Sequence, residues 1–168
     1  MKIIFLIILI TNYIFAFDIN FNNFSSNFIQ IVTSMNSTIS YKGNFIITQD
    51  KAFWNYKSPN SKQIYINNDE LIIIEPELEQ VIMQKLINIP NLNQIFKNAK
   101  KQNNQELKAT YNDIVYTISI KDDEIYSISY TDEFDNETII VLDNQKRNTN
   151  IDDSIFKPNI PTHFDIIK

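Results

Sequence analysis

The 168-residue chain has no cysteine. That excludes a disulfide scaffold, a thiolate metal site, a cysteine nucleophile and a lipid-modified N-terminal cysteine. Glycine occurs once, at Gly43, so no glycine-rich phosphate loop can be built. Turns must instead use Asn and Asp, which tolerate left-handed backbone better than most residues. Histidine also occurs once, at His163, in a proline-flanked tail. No Ser-His-Asp set or histidine-based metal site can be assembled around it. The net charge is -5, so there is no basic surplus for a phosphate backbone and no nucleic-acid partner is expected. The acidic pairs Asp122-Asp123, Asp132-Glu133 and Asp152-Asp153 lack calcium-loop spacing and read as solvated turns. Glu75, Glu77 and Glu79 around Pro76 read the same way. With no catalytic or metal-ligating constellation, no enzymatic activity and no cofactor are expected.

What the chain does have is apolar and aromatic. Twelve Phe, eight Tyr and abundant Ile favour strands. At the start, Lys2 precedes a nearly unbroken apolar run from Ile3 to Ile14, and Ala16 offers a small residue for cleavage. This pattern reads as a secretory signal over Met1–Ala16. The run is shorter than the ~20 residues a membrane span needs. The alternative is a retained N-terminal anchor. Cleavage would remove Lys2 and leave 14 basic and 20 acidic residues, a net charge of -6. With no cysteine after the cleavage point, the exported product is expected to be soluble.

The remainder, 17–168, shows no fixed-period repeat and no boundary, and is expected to be one domain. Phe21, Phe24 and Phe28 make a helical stripe, which predicts a short helix leading into a strand at Phe28–Thr33. Ile39, Tyr41, Gly43, Phe45 and Ile47 alternate as a half-buried strand. The stretch Ala52–Met83 is a meander: a strand with the single Trp54, a turn at Lys57–Asn60, Ile64 and Ile66 facing one way, and Ile72-Ile73-Ile74, apolar on both faces. Leu92, Ile95, Phe96 and Ala99, after Pro90 and before Lys100-Lys101, predict one amphipathic helix over Asn91–Lys100. Hairpins resume around Asn112-Asp113, Asp122-Asp123 and Asp135-Asn136. Nine or more strands and one helix mean a mainly β protein, sandwich or barrel. Phe45-Ile46-Ile47 carries more apolar surface than a one-faced sheet needs, and a curved sheet around an apolar cavity would use it.

An ordered set of short motifs resembles the outer-membrane lipoprotein carrier family (LolA). The set comprises Ser26–Gln30, Tyr41–Phe45, Trp54–Pro59, Ile64–Asn68, Leu71–Pro76 with Leu78–Val81, and Asn150 through Phe156-Lys157-Pro158 to Ile167. It covers nearly all of the chain after Ala16. The resemblance implies an open, curved antiparallel half-barrel of about ten strands with a short helical lid. It implies a soluble monomer of the periplasm that takes acylated lipoproteins from an inner-membrane ABC exporter and passes them to an outer-membrane receptor. Acyl chains would sit in the hollow between sheet and lid. The expected lining is Phe45, Ile47, Trp54, Tyr56, Ile64, Ile66, Ile73, Tyr116 and Ile118, and the expected lid residues are Leu92, Ile95, Phe96 and Ala99. Family members pin the lid with an arginine a few residues before the tryptophan, but here that region is Thr48-Gln49-Asp50-Lys51. Either Lys51 or Thr48 substitutes, or apolar contacts alone hold the lid. The alternatives are a periplasmic lipid-binding or envelope-stress sensor domain on the same half-barrel, or an exported structural β-domain with a solid core.

Overall fold

The fold was analysed in a computed structural model, in which residues 19, 21–85 and 92–168 are described. The strands are β1 (Phe24–Ser34), β2 (Ser37–Ile47), β3 (Lys51–Ser58), β4 (Lys62–Asn67), β5 (Glu70–Glu75), β6 (Gln80–Lys85), β7 (Lys100–Asn103), β8 (Glu106–Tyr111), β9 (Ile114–Lys121), β10 (Glu124–Thr131), β11 (Glu137–Arg147) and β12 (Asp165–Ile167). One helix, α1 (Leu92–Asn98), lies between β6 and β7. All twelve strands form one open sheet in the order β12-β6-β5-β4-β3-β2-β1-β11-β10-β9-β8-β7. Its pairs are antiparallel except β12 with β6, which is parallel.

Two expectations are corrected. No helix forms over the described part of 17–28, where β1 already begins at Phe24. Phe24 and Phe28 are four apart, a spacing common to a helix face and a strand face, and pairing with β2 and β11 decides for the strand. The predicted helix also ends earlier, at Asn98. Lys100–Asn103 instead forms the fully exposed edge strand β7, paired with β8. The open curved sheet expected at about ten strands has twelve, the short edge strands β7 and β12 included. Asn91, the first residue of the predicted helix, and Met1–Ala16, the predicted signal, lie outside the described residues.

Register arranges the concave face in rows. Phe24, Ile47, Ala52, Ile66 and Leu71 are successive cross-strand partners, and all are buried. Phe45, Trp54, Ile64 and Ile73 form the next row. The convex face carries its own cluster of Phe53, Tyr65, Ile74 and Val81, covered by Phe156 and by Ile151, Ile155, Ile160 and Phe164 of the C-terminal segment. This explains the doubly apolar runs: in Ile72-Ile73-Ile74, Ile73 faces the concave core while Ile72 and Ile74 face the tail. Asn67 Nδ2 donates to the Phe156 carbonyl (3.2 Å) and the Asp165 amide to the Glu79 carbonyl (2.9 Å), so the tail is tied down by hydrogen bonds as well.

With glycine nearly absent, Asn and Asp make the tight turns. Asn112 and Asp113 (φ 47° and 62°) and Asp122 and Asp123 (φ 52° and 58°) are left-handed pairs, as two-residue hairpins of primed type require. The Asp132 carboxylate accepts from the Phe134 and Asn136 amides and from Asn136 Nδ2, each at 2.9 Å. Those bonds, the Asn136 side chain first, hold its carboxyl below the usual carboxylate range. Asp152 accepts from the Ser154 amide (2.9 Å) and Asp153 pairs with Lys51 (2.6 Å). The acidic pairs are thus turn and tail chemistry. Gly43 serves space rather than a turn. It sits at a bulge between β2 and β3, and an added Cβ would strike the Asn55 carbonyl oxygen and stand 2.8 Å from the Phe28 ring.

Gly43→Ala should therefore cost about 2–4 kcal/mol, in the upper range for single substitutions, because backbone must move to admit it. The measurement is the urea midpoint followed by Trp54 fluorescence, and an unchanged midpoint would contradict the packing described.

Candidate functional site

The concave face and α1 enclose a cavity of about 280 Å³. Trp54, Tyr56, Ile64, Ile66, Leu71 and Ile73 line it from one wing of the sheet, and Gln30, Ile140, Tyr130 and Tyr116 from the centre and the other wing. Leu92 and Ile95 of α1 form its roof. The lining holds no charged side chain.

Six of the nine residues expected at the lining are there: Trp54, Tyr56, Ile64, Ile66, Ile73 and Tyr116. Phe45, Ile47 and Ile118 are not. They are 0%, 1% and 0% exposed, within the same core but behind the surface. The Trp54 ring stacks on Phe45 at 4.5 Å and shields it. Ile118 pairs across with Leu107 on β8, the strand against which α1 packs. Of the expected lid residues, Leu92 and Ile95 reach the cavity. Phe96 packs elsewhere, and Ala99 lies half-buried beyond the end of the helix. Gln30, Leu71, Tyr130 and Ile140 were missed by sequence reasoning. Leu71 and Ile140 lie on correctly read strands, and only register puts them in the same rows as Ile66 and Gln30.

The helix is held by rings. Phe96 meets Phe21 (5.4 Å) and Phe24 (5.9 Å) edge to face, and the Arg147 guanidinium stands 5.9 Å from the centre of the Phe24 ring. Lys51 is directed to the tail through Asp153, and Thr48 Oγ1 closes its own turn by accepting from the Lys51 amide (3.0 Å). Among the described contacts, neither takes the place of a lid-pinning arginine.

Polarity within the hollow is confined to neutral groups. The Tyr56 hydroxyl donates to Gln30 Oε1 (2.9 Å). Burial pushes the Tyr56, Tyr130 and Tyr116 hydroxyls upward, Tyr116 to about 12, so all stay protonated near neutrality. Tyr116 Oη is buried with no hydrogen-bond partner among the described residues. No cluster of three or more His, Asp or Glu side chains able to hold a metal occurs among the described residues.

A curved open sheet, an uncharged hollow and a short helix roofing it with Leu92 and Ile95 define a binding-protein architecture, with a largely apolar interior. The comparisons with known proteins narrow this. The family model described as "Outer membrane lipoprotein carrier protein LolA" matches residues 20–159. The chain is 52% identical over 155 residues to the outer-membrane lipoprotein carrier protein of Campylobacter jejuni, covering 92% of each chain. It is 31% identical over 134 residues to that of Helicobacter pylori strain HPAG1, covering 80% of this chain and 73% of the relative. A LolA superfamily protein from Nitrosomonas europaea shares the fold, with TM-score 0.53 at 10% identity over 82% of this chain and 90% of that one. The chain belongs to the outer-membrane lipoprotein carrier family, LolA.

The buried tyrosines predict an alkaline limit to stability. A hydroxyl that ionises near 10 when unfolded and near 12 when folded contributes stability that is intact below pH 10 and is lost as pH rises towards 12. Tyr116→Phe should remove that part of the loss. It should also be neutral to about 1 kcal/mol stabilising at pH 7, because an unpartnered buried hydroxyl disappears. Urea unfolding at pH 7, 10 and 11.5 checks both, and equal alkaline losses in the two proteins would refute the assignment.

Proposed function

We propose that the protein is a soluble periplasmic carrier. Exported behind the signal Met1–Ala16, it folds as one domain from Phe17 onward and works as a monomer. It takes up the acyl chains of lipoproteins released by an inner-membrane ABC exporter and delivers them to an outer-membrane receptor. The chain's own chemistry is binding and release, with no catalytic step.

The observation that carries this reading is the uncharged hollow roofed by Leu92 and Ile95 of a short helix whose Phe96 packs on Phe21 and Phe24. Each methylene withdrawn from water contributes ~0.8 kcal/mol, so a lipid with several acyl chains cannot travel through water without such a cover. A cavity of about 280 Å³ lies just below the ~300–1,000 Å³ usual for ligand sites. Loading must therefore displace α1 and open the space between Leu92, Ile95 and the Trp54 row. The Phe96 contacts with Phe21 and Phe24 can break without leaving a buried charge behind. Weak seating also suits delivery without an energy source, since cargo passes on only if the next site binds it better. A solid-cored structural β-domain would have no use for the hollow.

Depletion of the protein in cells should leave outer-membrane lipoproteins at the inner membrane, and their correct sorting would sink the carrier reading. Trp54→Glu places a carboxylate in the lining and should abolish recovery of a lipoprotein–carrier complex from spheroplasts, while the purified variant retains β-sheet circular dichroism.

A further inference from the structure

The sheet has an edge inside it. β2 begins at Ser37, but β3 pairs with it only from Lys42 onward, where Ser58 lies opposite. Residues 37–41 therefore have a partner on the β1 side and none on the other. The connection at Met35-Asn36 joins the pair Ser34 and Ser37, and antiparallel hydrogen-bonded pairs alternate from there. Ile39 and Tyr41 then bond to β1, and Thr38 and Ser40 turn their amides and carbonyls outward.

Unpaired edges invite added strands, and proteins commonly defend them with charge, proline, bulges or brevity. The two outer edges of this sheet are defended: β7 is four residues with Lys100 and Lys101, and β12 is three residues long. The inner edge is not. No charged residue or proline occurs anywhere from Phe21 to Tyr41, in a chain that is 21% charged. The bulge comes only at Lys42 and Gly43, where β3 begins to pair. The edge also adjoins the hollow. Tyr41 meets Tyr56 edge to face at 5.9 Å, and Tyr56 lines the cavity at the end away from Leu71. Beside Tyr41 is a notch of about 130 Å³, walled by Asn60 and Ser61 of the β3–β4 turn, by Lys62 and Glu75, and by Glu77 and Leu78. Glu77 is already engaged, accepting from the Ser61 amide (3.0 Å) and from Asn60 Nδ2 (2.7 Å).

We propose that this edge, Ser37–Tyr41, binds the extended polypeptide that follows the acylated N-terminal cysteine of the cargo, as an added β-strand over the notch. The inference rests on the carrier reading above. Acyl chains roofed by α1 oblige the attached polypeptide to leave at the other end of the hollow, past Tyr56, where the first free backbone is Ser40 and Thr38. Main-chain pairing is indifferent to side-chain identity, which suits one carrier with many cargoes. The edge distinguishes a lipoprotein from a free lipid, because only the lipoprotein supplies amides and carbonyls to pair.

The test compares two ligands: an acylated cysteine amide, and the same acylated cysteine extended by a polar, unstructured peptide. Trp54 fluorescence reports filling of the hollow by either. Hydrogen exchange then reads the edge, with the β1-bonded amides of Ile39 and Tyr41 as internal references. The extended ligand should slow exchange at Thr38 and Ser40 by about tenfold or more, and the acylated cysteine amide should not. Ser40→Pro removes one outward amide and should weaken the extended ligand about tenfold, the loss of one or two hydrogen bonds, leaving the short ligand unchanged. Equal protection by both ligands, or none by either while Trp54 responds, overturns the proposal and leaves the carrier reading intact. Protection that grows with protein concentration in the absence of ligand assigns the edge to a second copy and also overturns it. A Trp54 signal unmoved by either ligand defeats the carrier reading itself.

Discussion

A chain of aromatic rings crosses the concave face, and the rest of the structure hangs on it. It runs from Phe96 on the helix through Phe21 and Phe24 to Phe45, then to Trp54, Phe28 and Tyr56, and ends at Tyr41 on the free edge. Each contact of this kind adds ~0.5–1.5 kcal/mol beyond the area it buries. The rings are wide and rigid, and they join α1 to the three neighbouring strands β1, β2 and β3. Of these rings Trp54 and Tyr56 face the hollow, and the others pack behind or beside it. The lone glycine belongs to the same arrangement: the face of β2 at Gly43 is bare because the Phe28 ring occupies it.

The two faces of the sheet solve different problems. The convex face of β3 to β6 is sealed by the C-terminal segment, with Phe156 buried, an ion pair from Lys51 to Asp153 and the added strand β12. That half of the sheet is therefore backed on its outer face. Among the described residues, the seven of α1 lie over the concave face. Hydrogen bonds tie down the convex cover, whereas the contacts of α1 with the sheet include the aromatic pairs of Phe96 with Phe21 and Phe24.

Much of this was legible along the chain. Period-two alternation in β2 to β5 and in β8 to β11, the Asn and Asp turns, and the Leu92, Ile95 and Phe96 stripe followed from local rules that tertiary contacts did not overturn. Trp54, Tyr56, Ile64, Ile66 and Ile73 were readable as one face because strand parity fixes facing once a neighbour is known. Phe24 and Phe28 misled because a four-residue spacing serves helix and strand alike. Lys100-Lys101 misled because lysines suit a helix end and an exposed edge strand equally.

What the sequence by itself determined is composition and period: a β protein without thiol, glycine-loop or histidine chemistry, with apolar residues to spare on both faces of its strands. Which apolar residues face the hollow and which are sealed beneath it was decided only in three dimensions. Phe45 and Trp54 are equally apolar and directly paired, yet one is covered by the other. Gln30 and Ile140 reach the same cavity as Ile66 because β1 pairs with β11 across more than a hundred residues of chain. The unpaired stretch of β2 likewise exists only because β3 turns away at Ser58 while β1 and β2 run on. Register and strand length relative to neighbours are long-range quantities, and no local pattern encodes them.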